Sequence, residues 1–284
     1  MQWFYLALLS VVAAAVANVL RKVLLKDKQT DPVATIIVYQ LMGAAAVFLF
    51  VLPHGFVLPP ITTYPGNFLL QASFAAFANL LLFKALKYIE ASEATILVSL
   101  ASVVTIFSAV FLLGEQFSPG QTIGAVLILA AVFVIAAQKK KAVVFNRGVV
   151  YVLGAAILYG LSSTNDAFLV KHSDPLSYLV VGWLSPGIFL LLVQPHAARK
   201  MRYFANIPRF MKMLLLVLAS VFASVWFFLA LGRGAQISQL SPISQSTLIV
   251  TVFLAAVFLK ERDYLWRKLI AGIVVMVGVA LLVN

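Results

Sequence analysis

The 284-residue chain has no cysteine, which excludes disulfides, thiolate metal sites and cysteine nucleophiles. Charge is scarce as well. Only 11% of residues are Asp, Glu, Lys or Arg, against about a quarter in a soluble domain. With 21 basic and nine acidic side chains, the chain cannot cover a water-facing surface of the area this length requires. No basic segment precedes the first apolar stretch, which starts at Trp3, and it has no A-x-A-like cleavage site followed by a soluble domain. It is expected to stay as a helix. What is abundant is apolarity, at 63% of residues, so lipid is the expected solvent.

Crossing a bilayer core takes about 20 apolar residues, and long unbroken runs select helices over barrel strands. The sequence predicts an all-α polytopic membrane protein of ten spans: 3–25, 32–52, 67–87, 93–113, 120–138, 148–170, 176–194, 212–231, 240–259 and 266–283. Connections are short and punctuated by Asp31-Pro32, Pro53, Pro59-Pro60, Pro65-Gly66, Ser118-Pro119-Gly120, Asp174-Pro175, Gly232 and Gly234. Basic residues are distributed unequally between the two faces. Nineteen of the 21 follow odd-numbered spans: Arg21, Lys22, Lys26 and Lys28; Lys84 and Lys87; Lys139, Lys140, Lys141 and Arg147; Arg199, Lys200, Arg202, Arg209 and Lys212; Lys260, Arg262, Arg267 and Lys268. The opposite face has only Lys171 and Arg233. Positive charge stays cytoplasmic, so both termini are expected outside a cell membrane, plasma or inner. The net charge of +12 is thereby assigned to loops that meet anionic lipid, and a nucleic-acid groove is excluded.

Spans 4 and 9 align without a gap at a spacing of 146 residues, pairing Ser92 with Ser238, Val104 with Val250, Thr105 with Thr251, Phe107 with Phe253, Leu113 with Leu259 and Glu115 with Glu261. One inserted residue later Ile123 pairs with Ile270 and Ala131 with Gly278, and Asp31-Pro32 is echoed by Asp174-Pro175. The implied units are 1–138 and 148–284, joined by a cytoplasmic linker at 139–147. Five spans per unit is an odd number, so the second unit enters the membrane inverted. Charge agrees: loop 1–2 has four basic residues and its repeat partner 6–7 has one, while loop 4–5 has none and loop 9–10 has four.

The segment Ala85-Leu86-Lys87-Tyr88-Ile89-Glu90-Ala91-Ser92-Glu93-Ala94, the Leu113-Gly114-Glu115 ending of span 4, Ile123-Gly124-Ala125-Val126-Leu127-Ile128, and Ser241-Pro242 with Leu259-Lys260-Glu261 around span 9 resemble the ten-helix EamA-type branch of the drug/metabolite transporter superfamily. The resemblance extends over nearly the whole chain. It implies a 5+5 inverted repeat around a cavity lined by spans 1, 3, 4, 6, 8 and 9, and usually export of amino acids, metabolites or drugs. It also implies cytoplasmic termini and a basic loop 2–3, whereas Pro53 to Gly66 has no Lys or Arg. The charge count and the resemblance therefore imply opposite orientations.

Polar groups at membrane depth are expensive and normally face the bundle interior. Candidate substrate-binding residues are Gln40, Asn79, Ser99, Ser102, Tyr159, Trp183, Trp226, Ser241 and Gln245, with Ser185, Ser220 and Ser224 also near span midpoints. Thr95, Ser99 and Ser102 share one helix face, as do Ser238, Ser241 and Gln245. Hydroxyl groups also bond their own helix carbonyls, and Trp183 and Trp226 serve packing equally well. Pro186 is a candidate hinge, a site of an exposed carbonyl, or a static kink. Asp166 is the acidic residue well inside a span, and hence the coupling candidate. Glu115 and Glu261 read as capping or loop-anchoring groups.

These features predict a transporter of small organic solutes by alternating access, an exporter or a facilitator and exchanger, with a proton-coupled antiporter using Asp166 as the alternative. An intramembrane enzyme would need a cluster of catalytic or metal-ligating groups, and no two such residues share a helix face. No cofactor or metal is expected. A site without a central fixed charge would suit a neutral or zwitterionic solute better than a phosphate ester, in a monomer or weak homodimer.

Overall fold

The computed structural model describes residues 2–25, 30–113, 119–136, 146–233, 243–244, 246–261 and 263–283. The helices are α1 (Gln2–Leu25), α2 (Pro32–Val51), α3 (Pro65–Ala85), α4 (Ala91–Val98), α5 (Leu100–Leu113), α6 (Pro119–Ala136), α7 (Arg147–Lys171), α8 (Pro175–Val193), the short α9 (Ala197–Lys200), α10 (Ile207–Gly232), α11 (Thr247–Leu254) and α12 (Leu265–Val283). Among the described residues six helices are long and apolar enough to cross a membrane: Trp3–Leu25, Pro32–His54, Pro65–Ala85, Arg147–Val170, Pro175–Val193 and Ile207–Ala230. Shorter apolar helices occupy Ala91–Thr105, Thr122–Ala131 and Thr247–Leu259.

Helix starts follow local chemistry. Asp31 accepts from the Ala34 N–H at 3.0 Å and Asp174 from the Ser177 N–H at 2.8 Å, each with proline in the first turn. Asn146 caps α7 through the Val149 N–H at 2.9 Å. Spans 4 and 8 differ from the sequence expectation, and the described part of span 9 ends in a π-helix, Ala255–Leu259. Span 4 is two helices, because the chain turns at Ser99, whose hydroxyl and N–H both bond the Ile96 carbonyl, at 2.6 and 3.1 Å. Span 8 begins at Ile207, five residues early, because helix geometry continues past the apolar stretch while long basic side chains reach water.

The helices pack in corresponding pairs. α1 lies on α10 and α3 on α7; α11 contacts α1 as α5 contacts α7; α10 contacts α2 as α3 contacts α8; and α2 pairs with α8, α6 with α12. In the last pair a Cβ on Gly278 would lie 2.8 Å from the Gly124 carbonyl oxygen, so the backbones meet where side chains are absent. Outside the bundle, Leu49, Leu192, Phe253 and Phe258 are more than 60% exposed. Such a surface needs lipid.

The turn joining α3 to α4 is held from the second half of the chain. Glu261, just beyond α11, accepts from the N–H groups of Ala91 and Ser92 at 3.2 and 3.4 Å and from the Ser92 hydroxyl at 3.1 Å. Its carboxylate thereby caps the positive end of α4. The buried Lys268 of α12 pairs with Glu90, and from within the first half Lys22 of α1 donates to the Leu86 and Ile89 carbonyls. Glu115 lies outside the described residues.

Candidate functional site

Two cavities adjoin within the bundle. The first, about 360 Å³, lies between α1, α3, α4 and α7 and is lined by Asn18, Arg21, Leu82, Leu86, Thr95, Val98, Tyr159 and Ser163, among others. The second, about 380 Å³, is lined by Tyr39 and Gln40 of α2, Gln71 and Asn79 of α3, Tyr159, Ser162, Ser163 and Asp166 of α7, Tyr178 and Trp183 of α8, and Ser224 of α10. Tyr159 and Ser163 line both. Each volume is of the size that holds a small organic molecule.

At the junction the Tyr159 hydroxyl donates to Asn79 Oδ1 at 2.9 Å, and Asn79 Nδ2 donates to the Ala75 carbonyl at 2.8 Å. One bond thus links α3 to α7 where the chambers meet. Toward the α7–α8 turn, the Tyr178 hydroxyl donates to Asp166 Oδ1 at 2.8 Å and the Ser162 hydroxyl to Oδ2 at 3.4 Å. Trp183 packs on Tyr39 at 5.0 Å between ring centroids. Its indole lies where a Cβ on Gly43 would come within 2.1 Å, so glycine leaves the room the ring occupies.

Of the candidates named from sequence, Gln40, Asn79, Tyr159, Trp183 and Asp166 line the second chamber. Ser99, Ser102 and Trp226 line neither chamber. Ser99 uses its hydroxyl within its own turn, and Trp226 stacks on the outward-facing Phe222 at 5.4 Å. Ser241 and Gln245 lie outside the described residues. The helix contributions also differ from the lining that the resemblance implied, because α2 and α8 supply polar and aromatic walls of the second chamber.

Pro186 sits inside an unbroken α8. Proline has no N–H to offer the Gly182 carbonyl four residues back. Gln71 Nε2 takes that carbonyl at 3.2 Å, and the Ser185 hydroxyl donates to Gln71 Oε1 at 2.5 Å. Gln71 is thus the partner that closes the gap left by proline, and its mid-helix amide was the cue in the sequence. The charge count groups Arg21 with the cations that follow span 1, whereas Arg21 lies within α1, inside the predicted span 3–25, and its guanidinium lines the first chamber.

No curated protein matches the chain in sequence. One solved protein crystal structure superposes with a TM-score of 0.65 at 16% identity, over 99% of this chain and 94% of that one, a likeness of fold. The sequence pattern of the EamA-like transporter family matches residues 1–137 and again 146–284. With the lipid-facing surface and the polar chambers inside it, those two matches identify the chain as a member of the EamA-like transporter family, an integral membrane transporter of small solutes.

Proposed function

We propose that the chain works by alternating access, as an exporter or a facilitator and exchanger, with ten spans arranged as two inverted five-helix units, 1–138 and 148–284, in the cell membrane. Both termini lie outside in this reading, on the strength of the basic-residue count. The paired helix contacts support the inverted arrangement, since α1 with α10 and α3 with α7 exchange under a two-fold relation between the halves. So does the family pattern, which matches once in each half. The observation that carries the transport reading is the pair of polar chambers meeting at Tyr159 and Asn79. A passage whose chambers meet at a polar junction can expose a solute to each side in turn.

The test is flux in proteoliposomes, using a panel of labelled amino acids and lipophilic cations, with and without a pH gradient. Flux of at least one solute is expected, slowed at least severalfold by Gln40→Ala and Asn79→Ala. Unmodified rates in both variants would overturn the site assignment. A second reading, proton-coupled antiport, is favoured by the position of Asp166 in the second chamber beside Tyr178 and Ser162. It predicts gradient-driven flux that Asp166→Asn abolishes, whereas exchange without a gradient persists in that variant if the first reading holds.

A further inference from the structure

We propose that Arg21 anchors the carboxylate of the transported solute, which makes the substrate class small organic acids, amino acids included, with an apolar body. The inference rests on the transport reading and narrows its substrate. Arg21 lines the first chamber, and the partners it has are neutral. Its Nη1 donates to Asn18 Oδ1 at 3.5 Å and its Nη2 to the Tyr39 hydroxyl at 3.4 Å, both at the long end of hydrogen bonding. The guanidinium lies 5.7 Å from the centre of the Tyr39 ring and 5.3 Å from that of Phe83. Its Nε is buried without a hydrogen-bond partner. Among the described residues no carboxylate lies within ion-pair distance of it.

A guanidinium presents five donors in a planar fork that fits two carboxylate oxygens side by side. Leaving such donors unmet inside a protein is costly, and a solute carboxylate entering the first chamber would take up those on Nη1 and Nη2, the buried Nε being closed to it. Beside the polar Asn18, Thr95, Tyr159 and Ser163, that chamber has an aliphatic part formed by Leu82, Leu86, Ala91, Ala94 and Val98, which suits an apolar body behind the acid group. A doubly charged phosphate ester would call for a second cation. The neighbouring Lys22 instead directs its ammonium to the carbonyls of Leu86 and Ile89 at the end of α3.

Binding is read separately from flux, as the shift in melting temperature of the purified full-length protein in detergent. The ligands are leucine, methionine and phenylalanine, each titrated beside its own carboxamide, which keeps the body and amine but lacks the carboxylate. At least one acid is expected to bind tighter than its amide, and Arg21→Gln is expected to remove that preference by weakening the acid about tenfold or more. Arg21→Lys keeps the charge and loses the fork. It should weaken the acid severalfold and leave the amide unchanged, which provides a reading if Arg21→Gln does not fold. Equal binding of acid and amide, absence of any shift with all three acids, or an acid preference that survives either substitution unaltered would overturn the assignment. Acid binding without flux would count against transport and not against the anchor; flux of other solutes without acid preference would do the reverse.

Discussion

Gln71 shows how a single amide can serve the scaffold of a cavity. It is 3% exposed and occupied on both ends, by the Gly182 carbonyl and the Ser185 hydroxyl. Gln71→Leu would strip both groups of their partner, and the expected loss of stability is about 1–3 kcal/mol, measurable as a lower melting temperature in detergent. Asp31 gives the pH counterpart. Burial alone would raise its carboxyl pKa, but the hydrogen bond and charge of Lys200, with the Ala34 N–H, hold it below the usual value. A lowered folded-state pKa stabilises above the unfolded value near 3.8 and is lost as pH falls through the folded one. Because Lys200 is 56% exposed, the contribution stays under about 1 kcal/mol. Lys200→Ala should lower the melting temperature slightly at pH 7, with the difference vanishing once pH falls below the lowered folded-state pKa of Asp31. Equal melting at pH 7 would remove the pair from the account. At this scale the sequence was readable where a side chain is costly to bury in lipid, as at Gln40, Asn79 and Asp166. It was ambiguous for hydroxyls: Ser99 and Ser220 satisfy themselves on carbonyls one turn back, and nothing in a one-dimensional pattern separates that from lining a path.

Among the elements, positions of helices followed from hydropathy, while their interruptions did not. The turn at Ser99 divides α4 from α5 within one apolar run, and the last turn of the run after α11 widens into a π-helix at 255–259, ending at Lys260 in the left-handed region. The first is made by local bonds from Ser99 to the Ile96 carbonyl, which hydrophobic periodicity does not encode. The start of α4 is held from the other half of the chain by Glu261. Glu261→Ala is expected to destabilise by about 1–3 kcal/mol, since two N–H groups at the head of a helix lose a charged acceptor. Combined with Ser92→Ala it should be less than additive, as the two share one interaction. Strict additivity in thermal melts would show that Ser92 and Glu261 act independently.

Considered as a whole, the molecule owes its legibility to two patterns that run the length of the chain. Apolar runs placed it in lipid, and the recurrence of residues from span 4 in span 9, with basic residues ignoring that recurrence, pointed to two halves threaded in opposite senses. The chambers were less legible, because they form where α1, α3, α4 and α7, or α2, α3, α7, α8 and α10, converge from distant sequence. Opposite threading is the claim on which alternating access depends. The cysteine-free background allows it to be tested by single-cysteine labelling with a membrane-impermeant maleimide in intact cells, at the repeat-equivalent loops 1–2 and 6–7. Lys28→Cys is expected to react only after the membrane is opened and His172→Cys to react from outside. Labelling of both from the same face would contradict the account.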